Sequence, residues 1–161
     1  MMGTDRKIFY DIESLMDEIA RSHGPKKEVV LANGCFDILH VGHVRYLSEA
    51  AEYGDILVVA INDDESTRRL KGVGRPVIPG DERAEILTAL SYVDYVLLFS
   101  ESTVDGIIRK LRPSVHAKGT DYTEESVPEA DTAKESGCRT VITGDPKDHS
   151  SRDIIKKMQE E

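Results

Sequence analysis

Asn33-Gly34-Cys35-Phe36-Asp37-Ile38-Leu39-His40-Val41-Gly42-His43 lies between a short β-branched run, Val29-Val30-Leu31-Ala32, and a stretch where Val44, Leu47, Ala50 and Ala51 recur at helical spacing before Gly54. A strand passing through a glycine-bearing loop into a helix is a βα unit. Asn33-Gly34 by itself is a hairpin signal, but the helical pattern that follows contradicts a hairpin. Outward from this unit the same rhythm returns at Ile56 to Ile61, Tyr95 to Phe99, Ser114 to Ala117 and Arg139 to Thr143. Five strands joined by crossover helices predict an α/β fold with a doubly wound, parallel, five-stranded sheet. Ahead of it, Asp11 caps a helix carrying Ile12, Leu15, Met16, Ile19 and Ala20 on one face, and Gly24-Pro25 stops it. Residues 1–27 therefore read as an extra N-terminal helical extension and 28–161 as the main unit, together one compact domain.

Open parallel sheets bind ligands outside the carboxyl ends of their strands, which directs attention to the post-strand loops. In the first of these, His40 and His43 stand three apart at the start of a helix, where two imidazoles and unpaired backbone N–H groups can face one anion. Gly42 between them leaves room for close approach. Lys71-Gly72-Val73-Gly74-Arg75-Pro76-Val77-Ile78-Pro79-Gly80 is too rich in glycine and proline for regular structure and reads as a mobile active-site loop. The last helix begins at Ser151 and carries Lys156 and Lys157 near its C-terminal end, where cations suit the helix dipole.

The segment from Gly34 to His43 resembles the cytidylyltransferase-like superfamily of nucleotidyltransferases, whose Gly, x, Phe-Asp, two residues, His-x-Gly-His pattern it matches without a gap. Further along, Leu70-Lys71-Gly72, Arg75-Pro76-Val77, Glu82-Arg83, Val93-Asp94, Lys118-Gly119-Thr120-Asp121-Tyr122 and Ser150-Ser151 follow the order found in bacterial heptose 1-phosphate adenylyltransferases. The resemblance implies a Rossmann-like fold and transfer of a nucleoside monophosphate from ATP, with Mg2+, to a sugar phosphate. In that family the product is ADP-heptose for lipopolysaccharide core, and the domain is often fused to a sugar kinase with no counterpart in these 161 residues, which implies the stand-alone form.

It also implies roles. His40 and His43 hold the α- and β-phosphates, while Lys71 and Arg83 neutralise the triphosphate. Asn33, Gly34, Cys35, Phe36, Asp37, Gly42, Lys118, Gly119, Asp121, Ser150 and Ser151 surround the nucleotide, and Arg75 sits on the substrate loop. No protein side chain is expected to ligate the metal. Where the heptose enzymes have Gly-Gly-Asp-Tyr and Ser-Thr-Thr, this chain has Gly119-Thr120-Asp121-Tyr122 and Ser150-Ser151-Arg152, which leaves CTP with glycerol 3-phosphate or another polyol phosphate as the alternative pair.

Other readings of the same residues stay open at this level. Asp37, His40 and His43 also fit a hydrolase metal set, and Lys71 and Arg75 also fit plain solvated charges. Cys35, with no base beside it, reads as packing, His116 as a core residue, and His149 receives no role. A nucleotide sensor that never turns over is the alternative of another class. Thirty acidic against twenty-one basic residues, a net charge of -9, disfavour a nucleic-acid partner. Met1 to Arg6 lead into no apolar leader and the longest apolar run is far too short to span a bilayer, so a cytoplasmic protein away from membranes is expected. A homodimer follows from the resemblance alone.

Overall fold

The computed structural model describes residues 7–146 and 148–160. Met1 to Arg6, Lys147 and Glu161 lie outside the described residues. The elements in chain order are β1 (Ile8–Phe9), α1 (Ile12–His23), β2 (Val29–Gly34), α2 (Val41–Ala51), β3 (Ile56–Asn62), α3 (Asp64–Lys71), α4 (Gly80–Thr88), β4 (Tyr95–Phe99), α5 (Asp105–Leu111), β5 (Val115–Lys118), α6 (Ala130–Glu135), β6 (Arg139–Ile142) and α7 (Ser151–Gln159).

All strand pairings are parallel, in the order β1-β4-β3-β2-β5-β6. The sheet thus has six strands rather than the five expected. The added one is a two-residue edge strand, Ile8 and Phe9 against Val96 and Leu97, too short to leave a periodic signal. Lys7 holds that edge through its ammonium, which donates to the Val93 carbonyl at 3.2 Å.

Side chains on a strand alternate between faces, and both faces here are covered by helices, so the central strands are apolar throughout. Val30 and Ala32 of β2 with Leu57, Val59 and Ile61 of β3 pack against Tyr46, Leu47 and Ala50 of α2 and Ala84 and Leu87 of α4. Val29, Leu31, Ile56, Val58 and Ala60 face the other way, onto Leu15 and Ile19 of α1, Ile107 and Ile108 of α5 and Ala133 of α6. The N-terminal segment therefore contributes both an edge strand and a helix whose Leu15 is fully buried in the main core. Asp11 caps α1 as expected, accepting from the Ser14 N–H at 2.8 Å, and Gly24 ends it at φ 74°, a backbone region glycine enters without a Cβ penalty.

The chain leaves β2 first toward β3 and β4 and later returns to β2's other side with β5. That reversal between β2 and β5 is the switch point where an open sheet forms its ligand crevice. The β2–α2 and β5–α6 loops flank it.

Candidate active site

The two histidines of the first loop make a capping box out of imidazoles. His40 is the N-cap of α2; its Nδ1 accepts from the Gly42 N–H at 3.1 Å, and His43 Nδ1 accepts from the His40 N–H at 3.2 Å. A neutral imidazole carries one proton, so both contacts put that proton on Nε2 and leave each ring an N–H donor on its far side. The rings lie 3.9 Å apart between centroids, inclined by 26°. Burial, and then the charges of His40 and Lys71, lower the His43 pKa to about 3, so it stays a neutral donor at physiological pH. Gly42 has a further reason to lack a side chain: a Cβ there would stand 2.9 Å from Cε1 of His40, so its absence makes room for the His40 ring.

Phe36 anchors the other end of the loop. It is buried, with its ring 5.0 Å from that of His43 and 6.3 Å from that of Tyr46, and it sits at φ 51°, an uncommon conformation for a bulky residue. Packing of this kind is what holds strained backbone at functional loops. Cys35 is buried too, its Sγ 3.7 Å from Asn62 Oδ1, in keeping with a packing residue.

Three residues expected in the site, Asp37 and Arg83 at the nucleotide and Arg75 on the substrate loop, have bonding partners within the protein. The Asp37 side chain is fully buried and accepts from the Val77 and Ile78 N–H groups at 2.8 to 2.9 Å and from the Arg75 guanidinium. Burial works to raise its pKa, but the Ile78 and Val77 N–H donors and Arg75 outweigh it and hold the carboxyl below its ordinary range. Asp37 and Arg75 thus spend their charges on each other and tie the 72–79 loop to the floor of the site. Arg83, assigned above to the triphosphate, has a fully buried side chain. Four of its five N–H groups are taken: Nε by Ile78 O at 2.9 Å, Nη1 by Cys35 O at 2.6 Å and Asn62 O at 2.8 Å, and Nη2 by Asp64 at 2.8 Å. It joins the ends of β2 and β3 to the 72–79 loop.

Asp37→Ala is expected to strand two buried N–H groups and one guanidinium at once, costing about 3 kcal/mol of stability. Urea unfolding measures it. A change under about 0.5 kcal/mol would show that the loop holds without this anchor.

On the β5 side, Lys118 ends its strand only 9% exposed, with Nζ 4.7 Å from the Tyr122 ring centroid. Burial lowers its pKa, while the charges of Glu129 and Asp121 resist the shift. Glu129 is itself buried, and its Oε2 has no hydrogen-bond partner among the described residues. Asn33 turns inward: its Oδ1 lies 2.8 Å from His116 Nε2, and its N–H donates to the Tyr46 hydroxyl, which in turn donates to Ala117 O at 2.6 Å. Tyr46 thereby ties α2 to β2 and β5. Neither Tyr46 nor Glu129 is singled out by any local sequence signal. Gly119 and Asp121 lie on the turn after β5, and the neighbouring Thr120 donates its hydroxyl to Asp145 O at 2.7 Å.

His116 is fully buried, and burial first, then Lys118, lowers its pKa to about 3. The unfolded chain takes up this proton near pH 6.5 and the folded one only near 3, so unfolding is increasingly favoured as pH falls through that window. Above pH 6.5 the penalty vanishes. Stability should decline by about 1.4 kcal/mol per pH unit for this group below pH 6.5, and His116→Gln should flatten the acid limb of a Tm-against-pH curve. An unchanged slope in that variant would remove His116 as its source.

The last helix closes the site. Ser150 caps α7, accepting from the Asp153 N–H at 3.1 Å, and the Ser151 hydroxyl donates to Ile38 O at 3.1 Å. The N-terminus of α7 is thereby fastened to the histidine loop, adding helix-end N–H groups where an anion would lie. Lys71, exposed at the end of α3, is near enough for its charge to act on both His43 and Lys118. His40, His43, Lys71, Lys118 and Ser151 therefore gather around the switch point from four elements, α2, α3, β5 and α7, with Asp37, Arg75, Arg83 and Asn33 below them. Among the described residues, no group of three or more His, Cys, Asp or Glu is arranged to hold a metal ion, and no helix is long and apolar enough to cross a membrane.

The chain is 46% identical over 155 residues to the bifunctional protein HldE of Citrifermentans bemidjiense, covering 96% of this chain and 32% of that protein. It is 40% identical over 157 residues to the bifunctional protein HldE of Pseudomonas fluorescens, covering 98% of this chain and 33% of that one. The chain thus spans about a third of the length of these relatives. Among solved structures it is similar to a lipopolysaccharide core biosynthesis protein from Thermoplasma volcanium, with TM-score 0.64 and 26% identity over 75% of this chain and 99% of that one. Pantothenate synthetase from Thermus thermophilus shares the fold at TM-score 0.65 and 14% identity, covering 92% of this chain and 67% of that one. The cytidylyltransferase-like profile matches residues 31–157, from β2 through the imidazole capping box to the last helix, and this chain is accordingly a nucleotidyltransferase of the cytidylyltransferase-like family.

Proposed function

We propose that this nucleotidyltransferase transfers AMP from ATP to a sugar phosphate, heptose 1-phosphate in the first instance, acting in the cytoplasm on a route to lipopolysaccharide core. The observation that carries the reading is the imidazole capping box, which presents two Nε2–H donors beside the N-terminus of α7. The similarity to HldE proteins and to a lipopolysaccharide core biosynthesis protein supports the choice of acceptor. A phosphate oxygen of the sugar attacks the α-phosphorus in line; the new P–O bond forms as the bond to the β-phosphate bridging oxygen breaks, and pyrophosphate departs with that electron pair. The attacking phosphate is already ionised, so no general base is required, and the work of the chain is positioning and charge stabilisation.

His40 and His43 donate to the phosphates, and Lys71 and Lys118 balance their charge. Gly34, Gly119 and Asp121 border the nucleoside, while Asp37, Arg75 and Arg83 hold the loop shape. Mg2+ bound with the triphosphate supplies further neutralisation of the phosphate oxygens. Residues 28–161 carry the chemistry, residues 1–27 complete the same compact domain, and two copies pair as a homodimer.

Four nucleoside triphosphates assayed for pyrophosphate release with heptose 1-phosphate and with glycerol 3-phosphate, beside calorimetric binding, test this. Turnover is expected with ATP and heptose 1-phosphate. CTP with glycerol 3-phosphate alone would replace the substrates and keep the mechanism, and binding with no release under any pairing would make the protein a nucleotide sensor.

A further inference from the structure

His149 takes no part in the chemistry so far, yet both sides of the segment that carries it are fastened. Upstream, the Thr143 hydroxyl donates to Tyr46 O at 3.0 Å, the Gly144 N–H donates to Glu49 at 2.6 Å, and Asp145 pairs with Arg45 of α2. Downstream, Ser150 caps α7 and Ser151 is bonded to Ile38 of the histidine loop. Between these points the His149 ring centroid comes to 6.3 Å from that of His40, inclined by 45°. Its Cβ would lie 3.5 Å from a Cβ on residue 42, an ordinary contact distance that seats His149 against the first turn of α2.

The three rings form a progression: His43 and His40, both half-buried and 3.9 Å apart, then the exposed His149 at 6.3 Å from His40, beside the start of α7. A chain of linked phosphates laid along it, with its nucleoside at the β2–β5 crevice, sets its first phosphate near His43 and its last ones near His149. We propose that His149 is a third imidazole of the phosphate site, a hydrogen-bond donor to the terminal phosphates of the bound triphosphate and to the departing pyrophosphate. This rests on the triphosphate reading of the site.

The contact discriminates among phosphates, and its test uses that. Calorimetric titrations of the parent, His149→Ala, His149→Gln and His40→Ala with ATP, AMP and inorganic pyrophosphate, each with Mg2+, give the pattern directly, with CTP and CMP run in parallel. His149→Ala should weaken ATP and pyrophosphate by about 10-fold and leave AMP within about twofold, since one hydrogen bond to a charged group is worth roughly that factor. His149→Gln, which keeps a side-chain N–H donor, should recover part of the loss, and His40→Ala should weaken AMP as well. In the reverse reaction, KM for pyrophosphate should rise about 10-fold in His149→Ala with a smaller change in kcat.

The side chain is exposed, so the variant should melt with the parent. Equal weakening of AMP and ATP, unchanged pyrophosphate affinity, or no recovery with glutamine overturns the proposal. A parent that binds no triphosphate at all overturns the functional reading and this inference with it, whereas triphosphate bound equally by the parent and His149→Ala overturns this inference alone.

Discussion

His43→Ala is expected to lower kcat by about 10²- to 10³-fold while changing the affinity for the triphosphate by no more than about 10-fold. In the proposed complex Lys71, Lys118 and the α7 N-terminus all surround the ground-state polyphosphate, so one neutral donor adds no more than that to its binding. At the five-coordinate α-phosphorus the equatorial oxygens gather charge and move, and a donor already aimed at that arrangement acts selectively on the transition state. The aim is set by the fold: the His40 N–H occupies His43 Nδ1, so the ring cannot turn its other nitrogen outward without losing that bond. Alanine also removes half of the capping box, a folding cost of about 1 kcal/mol that a melting curve separates from the rate effect. Burial keeps the ring neutral down to about pH 3, so kcat should show no acid limb from His43 between pH 6 and 8. Lys71→Ala is the contrasting variant, with a raised KM for the triphosphate because a cation acts in both states. A His43→Ala enzyme whose kcat stays within a few fold of the parent while binding is lost would reduce the imidazole to a tether.

The parts of this site that were legible in the sequence are those fixed by local geometry. His40 and His43 stand one helical turn apart, so their shared face follows from spacing, and their adjacency to a strand end follows from the βα pattern. The strands from β2 to β6 were legible because apolar runs recur between helical stretches. β1 was not, since two residues between Lys7 and Tyr10 carry no period and are recruited by the exposed edge of β4.

Polar burial was the other limit. Asp37 and Arg75 are 38 positions apart, and nothing local says that they neutralise each other. The Asn33–His116 contact spans 83 positions and engages the side-chain oxygen of a half-buried residue expected at the nucleotide. His149 approaches His40 only because the β6–α7 loop is tied to α2 at one side and to Ile38 at the other.

Arg83 is the sharpest such case, and Arg83→Ala is expected to act on stability before it acts on substrate. A cation placed by sequence among phosphate-binding residues could serve either end, and the hydrogen bonds decide between them: Cys35 O, Asn62 O and Ile78 O converge on one guanidinium whose remaining bond goes to Asp64. Removing it takes one donor each from three carbonyls and a carboxylate oxygen, two of those carbonyls in bonds that are fully buried, although Asn62 O keeps the Thr67 hydroxyl at 3.2 Å and Asp64 keeps a backbone donor. The expected cost is about 3 to 5 kcal/mol. Arg83→Lys should recover little, since one ammonium lacks the planar fork that reaches carbonyls on three separate segments. Asp64 also accepts from the Gly80 N–H at 2.7 Å, so the start of α4 should loosen together with the 72–79 loop. Urea unfolding and triphosphate KM, measured on the folded fraction at low temperature, separate the two roles. A large fall in stability is expected in Arg83→Ala alone, and a raised KM at parental stability in Lys71→Ala alone. Were Arg83→Ala to unfold with the parent and lose only triphosphate affinity, the guanidinium would have to leave its three carbonyls for the phosphates during turnover, and its place beneath the loop would describe only the resting enzyme.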